Sequence, residues 1–147
     1  MKEFHGRVIQ AQNWTGEAIV SHQGFNTLAS CQTSALLATS KKIIVSDQNN
    51  KDLYKKNITG KALCLPETIG STTGGMVIQT IAVRSLAPKA WLFSHHIDPL
   101  AASGIILSNV WNDAGLIAID ELGDDFLDAV KSGDKITIKE DGTVIVG

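Results

Sequence analysis

The sequence predicts an α/β fold of three layers, β/β/α, built on a mixed, largely parallel sheet. Two observations carry this expectation. From Thr59 onward, short apolar runs alternate with helical segments of about ten residues, the pattern of strands joined by crossover helices and buried on both faces. The chain also begins and ends on strand-like segments, which supply a second β layer. With 147 residues and 44% hydrophobic content, it reads as one domain over residues 1–147, long enough to enclose a full core.

In order, Phe4–Gln10 and Gly16–His22 read as two strands joined by a turn around Asn13-Trp14-Thr15-Gly16, an N-terminal hairpin. Gln23–Ser40 is rich in Ser, Thr, Ala and Asn and has no clean period, so it reads as a loop with one short helix over Ser34–Thr39. Lys42–Ser46 reads as a short strand, and Asp47-Gln-Asn-Asn-Lys-Asp52 as a loop whose charges and amides serve solvation alone. Strands are then expected over Lys61–Leu65, Lys89–Phe93 and Gly115–Ile119, each followed by a helix, over Gly75–Ser85, Pro99–Asn109 and Gly123–Val130. Lys135–Lys139 and Thr143–Val146 close the chain as a hairpin turning at Asp141-Gly142. Ligands of parallel sheets collect beyond the carboxyl ends of the strands. That directs attention to Pro66–Gly74, Ser94–Pro99 and Asp120–Asp124.

Composition removes several function classes. A formal charge of −2, no basic run longer than a Lys pair and 5% aromatic residues leave no electrostatic or stacking surface for nucleic acid. No apolar run approaches membrane-spanning length, and Met1-Lys-Glu-Phe-His-Gly-Arg7 has no signal-peptide core, so a cytoplasmic protein is expected. The two cysteines, Cys31 and Cys64, form no Cys-x-x-Cys and no self-contained metal site, so metal ligands in this chain are expected to be none. Cys64 lies in an apolar strand and reads as a packed thiol; Cys31 lies in a small-polar stretch that leaves its exposure, and any pairing with Cys64, open.

The segment richest in chemistry is Glu67-Thr-Ile-Gly70-Ser71-Thr72-Thr73-Gly74-Gly75, between a strand and a helix. Glycines let a backbone approach a ligand, and the free N–H groups opening the next helix suit a carboxylate or phosphate. Ser71, Thr72 and Thr73 add three hydroxyls. No Lys follows Gly74 or Gly75 and there is no Gly-x-Gly-x-x-Gly, so neither nucleotide-binding motif is present. The structural alternative is a helix N-cap in which these hydroxyls satisfy backbone donors. Arg84 and Lys89, the basic residues that follow the loop, are expected to lie too far away to reach it.

Taken together, Gly60-Lys-Ala-Leu-Cys-Leu-Pro66, Gly70-Ser71-Thr72-Thr73-Gly74, Leu86-Ala87-Pro88-Lys89-Ala90 and Asp98-Pro99-Leu100 resemble the motifs of the small, swivelling domain of the aconitase superfamily, in its aconitase X branch. Gly133-Asp134 and Asp141-Gly142-Thr143-Val144 resemble the ending of such domains. The departure is Phe25–Lys42, where the branch carries Phe-x-Gly-Gly-Val-Asp-Pro and this chain has Phe25-Asn-Thr-Leu-Ala-Ser-Cys-Gln-Thr33. The resemblance implies a hydro-lyase in which Ser71 acts as the base, stabilised by Gly70, Thr72, Thr73 and Gly74. It implies an iron–sulfur cluster held by a separate large subunit, so that this chain is inactive alone. It also implies a hydroxy-acid substrate such as cis-3-hydroxyproline, or a phosphorylated one such as mevalonate 5-phosphate.

Two other readings belong to different classes. Ser94-His95 before a small-residue helix faintly resembles a phosphohistidine swivel carrier, but Ala90-Trp-Leu-Phe93 replaces the usual Gly-Gly. An adjacent His pair on a strand points to opposite faces, so His95 and His96 read as one packed and one solvated imidazole rather than joint metal ligands. The third reading is a non-catalytic module whose Ser71 loop binds an anion without turnover.

Overall fold

The computed structural model describes residues 1–37, 39–70 and 74–147. Its strands are β1 (Lys2–His5), β2 (Arg7–Gln10), β3 (Trp14–Val20), β4 (Phe25–Asn26), β5 (Ala62–Leu65), β6 (Thr68–Ile69), β7 (Ala90–Phe93), β8 (Ile117–Asp120), β9 (Lys135–Ile138) and β10 (Thr143–Val146). The helices are α1 (Thr27–Leu36), α2 (Gly74–Val83), α3 (Pro99–Asn112) and α4 (Asp124–Ala129). An eight-stranded sheet runs β1-β10-β9-β3-β5-β7-β8-β2, with β4 and β6 forming a separate parallel pair. The central neighbours β3, β5, β7 and β8 are parallel, and the flanking pairs are antiparallel. The mixed, largely parallel α/β fold expected from the sequence is what forms.

The apolar runs explain the layers. Every residue of β5, β7 and β8 is buried, so both faces of the central sheet need a cover. Leu63, Leu65, Trp91 and Phe93 point to one side, where they join Ile78 and Ile81 of α2, Ile105 of α3 and Cys31 of α1. Each of these large side chains contributes roughly 1.5–3 kcal/mol by leaving water. The opposite face carries Ala18, Ala62, Cys64 and Ala90 among the larger Val20, Leu92, Ile117 and Ile119. There Ile136, Ile138, Val144 and Val146 of the C-terminal hairpin and Phe126 of α4 close a second core.

Several sequence expectations are corrected. Phe4–Gln10 is not one arm of a hairpin with Gly16–His22. It breaks at Gly6, β1 pairing with β10 and β2 with β8. The two edge strands of the sheet are therefore consecutive in the chain, and the sheet curls until its edges meet. A side chain at Gly6 would lie 2.5 Å from the Asp120 carbonyl oxygen, so only glycine passes through this junction. The helix expected over Ser34–Thr39 starts earlier, at Thr27, because the Asn26 side chain accepts from the Ala29 N–H and caps it. Lys42–Ser46 is no strand; only an isolated bridge links Ile44 with Asn57. The loop over residues 47–52 does more than meet solvent. Asn50 is 2% exposed, donates to Ser21 Oγ at 2.9 Å and accepts from the Leu53 N–H.

Cys31 and Cys64 are both fully buried free thiols, in different cores. Burial pushes the Cys31 thiol up to about 12 and raises Cys64 as well, with the Asp134 charge adding to the latter.

At the sheet junction the buried Asp120 carboxylate accepts from Arg7 Nε at 2.9 Å, from Arg7 Nη2 at 2.6 Å and from the Ile97 N–H at 2.8 Å. Burial pushes its pKa up, but the Arg7 guanidinium and the Ile97 N–H outweigh it and hold the group below its ordinary value. A carboxylate with a depressed folded-state pKa stabilises the fold above its unfolded pKa, near 3.8, and that contribution is lost as pH falls through the folded value. Asp120→Asn should therefore cost about 3 kcal/mol at pH 7, the low end for a broken buried pair because Arg7 keeps contact with water. In urea denaturation, the gap to wild type should narrow steadily below pH 4. A gap independent of pH would show that the charge does not matter.

Candidate functional site

The carboxyl ends of β5, β7 and β8 lie at one edge, and the loops that leave them are stitched together in series. His95 N–H donates to the Pro66 carbonyl at 3.2 Å, Glu121 N–H to the His95 carbonyl at 2.9 Å, and Gly123 N–H to the Ser94 carbonyl at 2.9 Å. The loop after β5 also forms β6, which pairs in parallel with β4 and so draws the start of α1 to the same edge. Phe25 N–H donates to the Glu67 carbonyl at 2.9 Å.

A cavity of about 180 Å³ opens here, lined by Thr27, Thr68, Ile69, Gly70, Gly74, Asp98, Leu100 and Ala101. Three helices begin around it: α1 at its Asn26 cap, α2 at Gly74, and α3, where Asp98 Oδ1 accepts from the Ala101 N–H at 2.9 Å and Pro99 takes the first position. The second oxygen of Asp98, Oδ2, accepts from the Thr68 hydroxyl. Of the site residues expected from sequence, Gly70, with φ of +112°, and Gly74 both line this cavity. Ser71, Thr72 and Thr73, which the chain places between them, lie outside the described residues.

Sequence reasoning passed over Thr27 and Thr68 and read Asp98 only as part of a helix-start motif. Two signals were present: Asn26 before Thr-Leu-Ala is an N-cap pattern, and Asp98-Pro99 is an N-cap followed by proline at the first helical position. The only charged side chain among the described lining residues is the Asp98 carboxylate. Arg84 is engaged at the far end of α1, donating to the carbonyls of Ala35 at 2.7 Å, Leu37 at 2.9 Å and Ser40 at 3.3 Å. A larger open groove of about 600 Å³, bordered by Lys41, Lys42 and Lys55, shares no residue with the cavity and sits at that same end of α1.

The histidines differ from expectation. Both are exposed, because they follow β7 rather than belong to it. His95 Nε2 lies 2.8 Å from Asp124 Oδ1, and His96 Nδ1 lies 3.5 Å from Glu121 Oε1. Among the described residues no group of three or more His, Cys, Asp or Glu side chains could hold a metal ion. No helix among them is long and apolar enough to cross a membrane.

A parallel sheet between a helical layer and a β layer, with a cavity lined by Gly70 and Gly74 at its carboxyl edge, defines a swivel-type β/β/α domain. The family model described as the aconitase X swivel domain matches residues 3–146, and the chain belongs to that family. It is 34% identical over 91 residues to the phosphomevalonate dehydratase small subunit of Methanocella arvoryzae, an alignment that spans 62% of each chain. It is 29% identical over 136 residues to the protein of the same description from Methanocaldococcus jannaschii, spanning 92% of this chain and 90% of that one. The holo-form structure of Thermococcus kodakaraensis aconitase X matches with a TM-score of 0.83 at 27% identity, over 100% of this chain and 99% of that chain.

The exit from the loop depends on a close helix crossing. A Cβ at Gly75 would fall 2.5 Å from the Leu100 carbonyl oxygen, and one at Gly104 would fall 2.6 Å from the Gly75 carbonyl oxygen. Gly104→Ala should force α2 and α3 apart and cost about 1–3 kcal/mol, as overpacking does. Ser103→Ala, one residue earlier on the exposed face, should stay within about 0.5 kcal/mol of wild type. Thermal or urea denaturation checks both, and equal effects would remove the crossing as a constraint.

Proposed function

We propose that this chain is the small subunit of a two-subunit hydro-lyase of the aconitase X type, acting on a phosphorylated hydroxy acid, with mevalonate 5-phosphate as the substrate. The observation that carries the reading is that Gly70 and Gly74, the residues that bracket Ser71 in the chain, line one cavity at the sheet's carboxyl edge. The names of the curated relatives favour mevalonate 5-phosphate over cis-3-hydroxyproline. In this reading Ser71, as an alkoxide, takes a proton from carbon while hydroxide leaves the neighbouring carbon and a double bond forms. Thr72, Thr73 and the N–H groups around Gly70 and Gly74 would stabilise the negative oxygen.

The iron–sulfur cluster implied by the family resemblance does not fit this chain. Cluster binding needs several accessible thiolates. Cys31 and Cys64 are fully buried in separate cores, with thiol pKa values raised. In this reading the cluster belongs to a large partner subunit. A partner is also supported by the helical layer. None of α1, α2 and α3 contains a charged residue, yet Leu36, Met76, Val110 and Trp111 are 69% to 75% exposed. The outer face of a surface helix normally carries charge, and exposed apolar patches mark contact surfaces.

The same cavity argues against a stand-alone anion-binding module. Its described lining offers a carboxylate and no cation, and the masking of a phosphate charge would fall to the partner. His95 is tied to Asp124 and is not among the described residues that line the cavity, which does not favour the carrier reading.

In the reconstituted two-subunit enzyme, Ser71→Ala should lower kcat by at least about 10²-fold with KM little changed, because a base acts in the transition state. Near-normal turnover would reduce the serine to a helix cap, with a stability loss of about 1 kcal/mol as its only effect. The purified chain alone should be colourless and without dehydratase activity; iron-dependent absorbance in it would contradict the placement of the cluster in the partner.

A further inference from the structure

We propose that Asp98 is a positioning residue for the Ser71 loop, acting through the Thr68 hydroxyl; this rests on the reading of Ser71 as the base. The first turn of α3 touches both arms of the loop. On the entering arm, Thr68 sits three residues before Ser71 and donates to Asp98 Oδ2. On the leaving arm, Gly75 packs so closely on Leu100 that a Cβ there would stand 2.5 Å from its carbonyl oxygen. Asp98 and Leu100 are two residues apart on one helical turn, so the two ends of the loop are referred to a single rigid element.

A cap alone would not require aspartate. Serine, threonine and asparagine cap helices about as well through one oxygen. Asp98 uses one oxygen on the Ala101 N–H, and its other oxygen is what reaches Thr68. β6 is only two residues long and pairs only with the two-residue β4, so its backbone ladder is too short to fix the loop unaided. From the other side, Asn26 Oδ1 lies 2.9 Å from where a Gly70 Cβ would be, so the N-terminal end of α1 packs directly on the Gly70 backbone. Catalysis by an oriented base is sensitive to such placement, and a displacement of about 1 Å can cost 10²-fold in rate.

The test compares Thr68→Val, Thr68→Ser, Asp98→Ser and the double variant Thr68→Val/Asp98→Ser in the reconstituted enzyme, with Ser71→Ala alongside and mevalonate 5-phosphate as the probe. Thr68→Val should lower kcat by about 10- to 100-fold with KM within about threefold of wild type. Thr68→Ser, which keeps the hydroxyl, should restore most of it. Asp98→Ser keeps a cap but not the reach to Thr68, and should match Thr68→Val, the double variant being no worse than either. In the chain by itself, hydrogen exchange of the β6 amides should quicken in Thr68→Val and not in Thr68→Ser. Wild-type kcat and unchanged β6 exchange in Thr68→Val, with Ser71→Ala inactive, would overturn the positioning role and leave the serine base standing. Retained turnover in Ser71→Ala would overturn the base, and the positioning role with it.

Discussion

Four parallel strands, β5, β7 and β8 buried throughout and β3 buried over Ala18, Ile19 and Val20, are the constraint from which the rest of this molecule follows. β3, β5, β7 and β8 present apolar residues to both sides, and neither side can be left to water. Large residues on one face, Leu63, Trp91 and Phe93 among them, require a thick cover and receive α1, α2 and α3. The other face, where Ala18, Ala62 and Ala90 lie among Val20, Leu92, Ile117 and Ile119, is covered by the C-terminal hairpin with α4 at its side. Because the strands are parallel, each must be regained by a crossover, and all of their carboxyl ends face one way. The functional edge is thus a consequence of burial before any catalytic residue is considered.

At that edge the chain is organised by side chains that do two things at once. Asp120 closes the seam between β2 and β8 through Arg7 and also accepts from Ile97, which fixes the segment leading to α3. Asp98 then starts α3 and holds Thr68. Asn26 starts α1 while its amide crowds Gly70. These contacts connect the seam of the sheet to the walls of the cavity, and among the described lining residues there is no cation. In the proposed reading, the charge that such a site lacks is supplied from the other side of an interface. The charge-free helical layer beside it is consistent with such an interface.

Much of this was legible in the sequence, and the failures have physical causes. From Lys61 to Ala129 the alternation of buried strands and helices was readable because both faces of β5, β7 and β8 are buried, and the helix starts at Asp98-Pro99 and Gly74 carried their own signals. The N-terminal strands were misread as a hairpin because periodicity reports a strand but not its partner; Gly6 directs β1 and β2 to strands more than a hundred residues away. The region from Phe25 to Ser46 was opaque because α1 buries Thr27, Ser30, Cys31 and Ser34, residues too small and polar to leave a hydrophobic stripe. Its role in the cavity depends on the two-residue ladder between β4 and β6, which no local pattern announces. Gly70 and Gly74 stood out by the composition of their segment, whereas Thr68 and Asp98, which line the same cavity, are thirty residues apart and meet only in the fold.

The central claim is that this chain completes an active site begun on another polypeptide. The most direct measurement is a titration of the chain into a fixed amount of the proposed cysteine-rich, cluster-loaded large subunit, with dehydration of mevalonate 5-phosphate followed at each step. The account expects no turnover from either component alone and a linear rise that breaks at one small subunit per large subunit. Full turnover by the large subunit alone, or none at any ratio despite a stable complex, would contradict it.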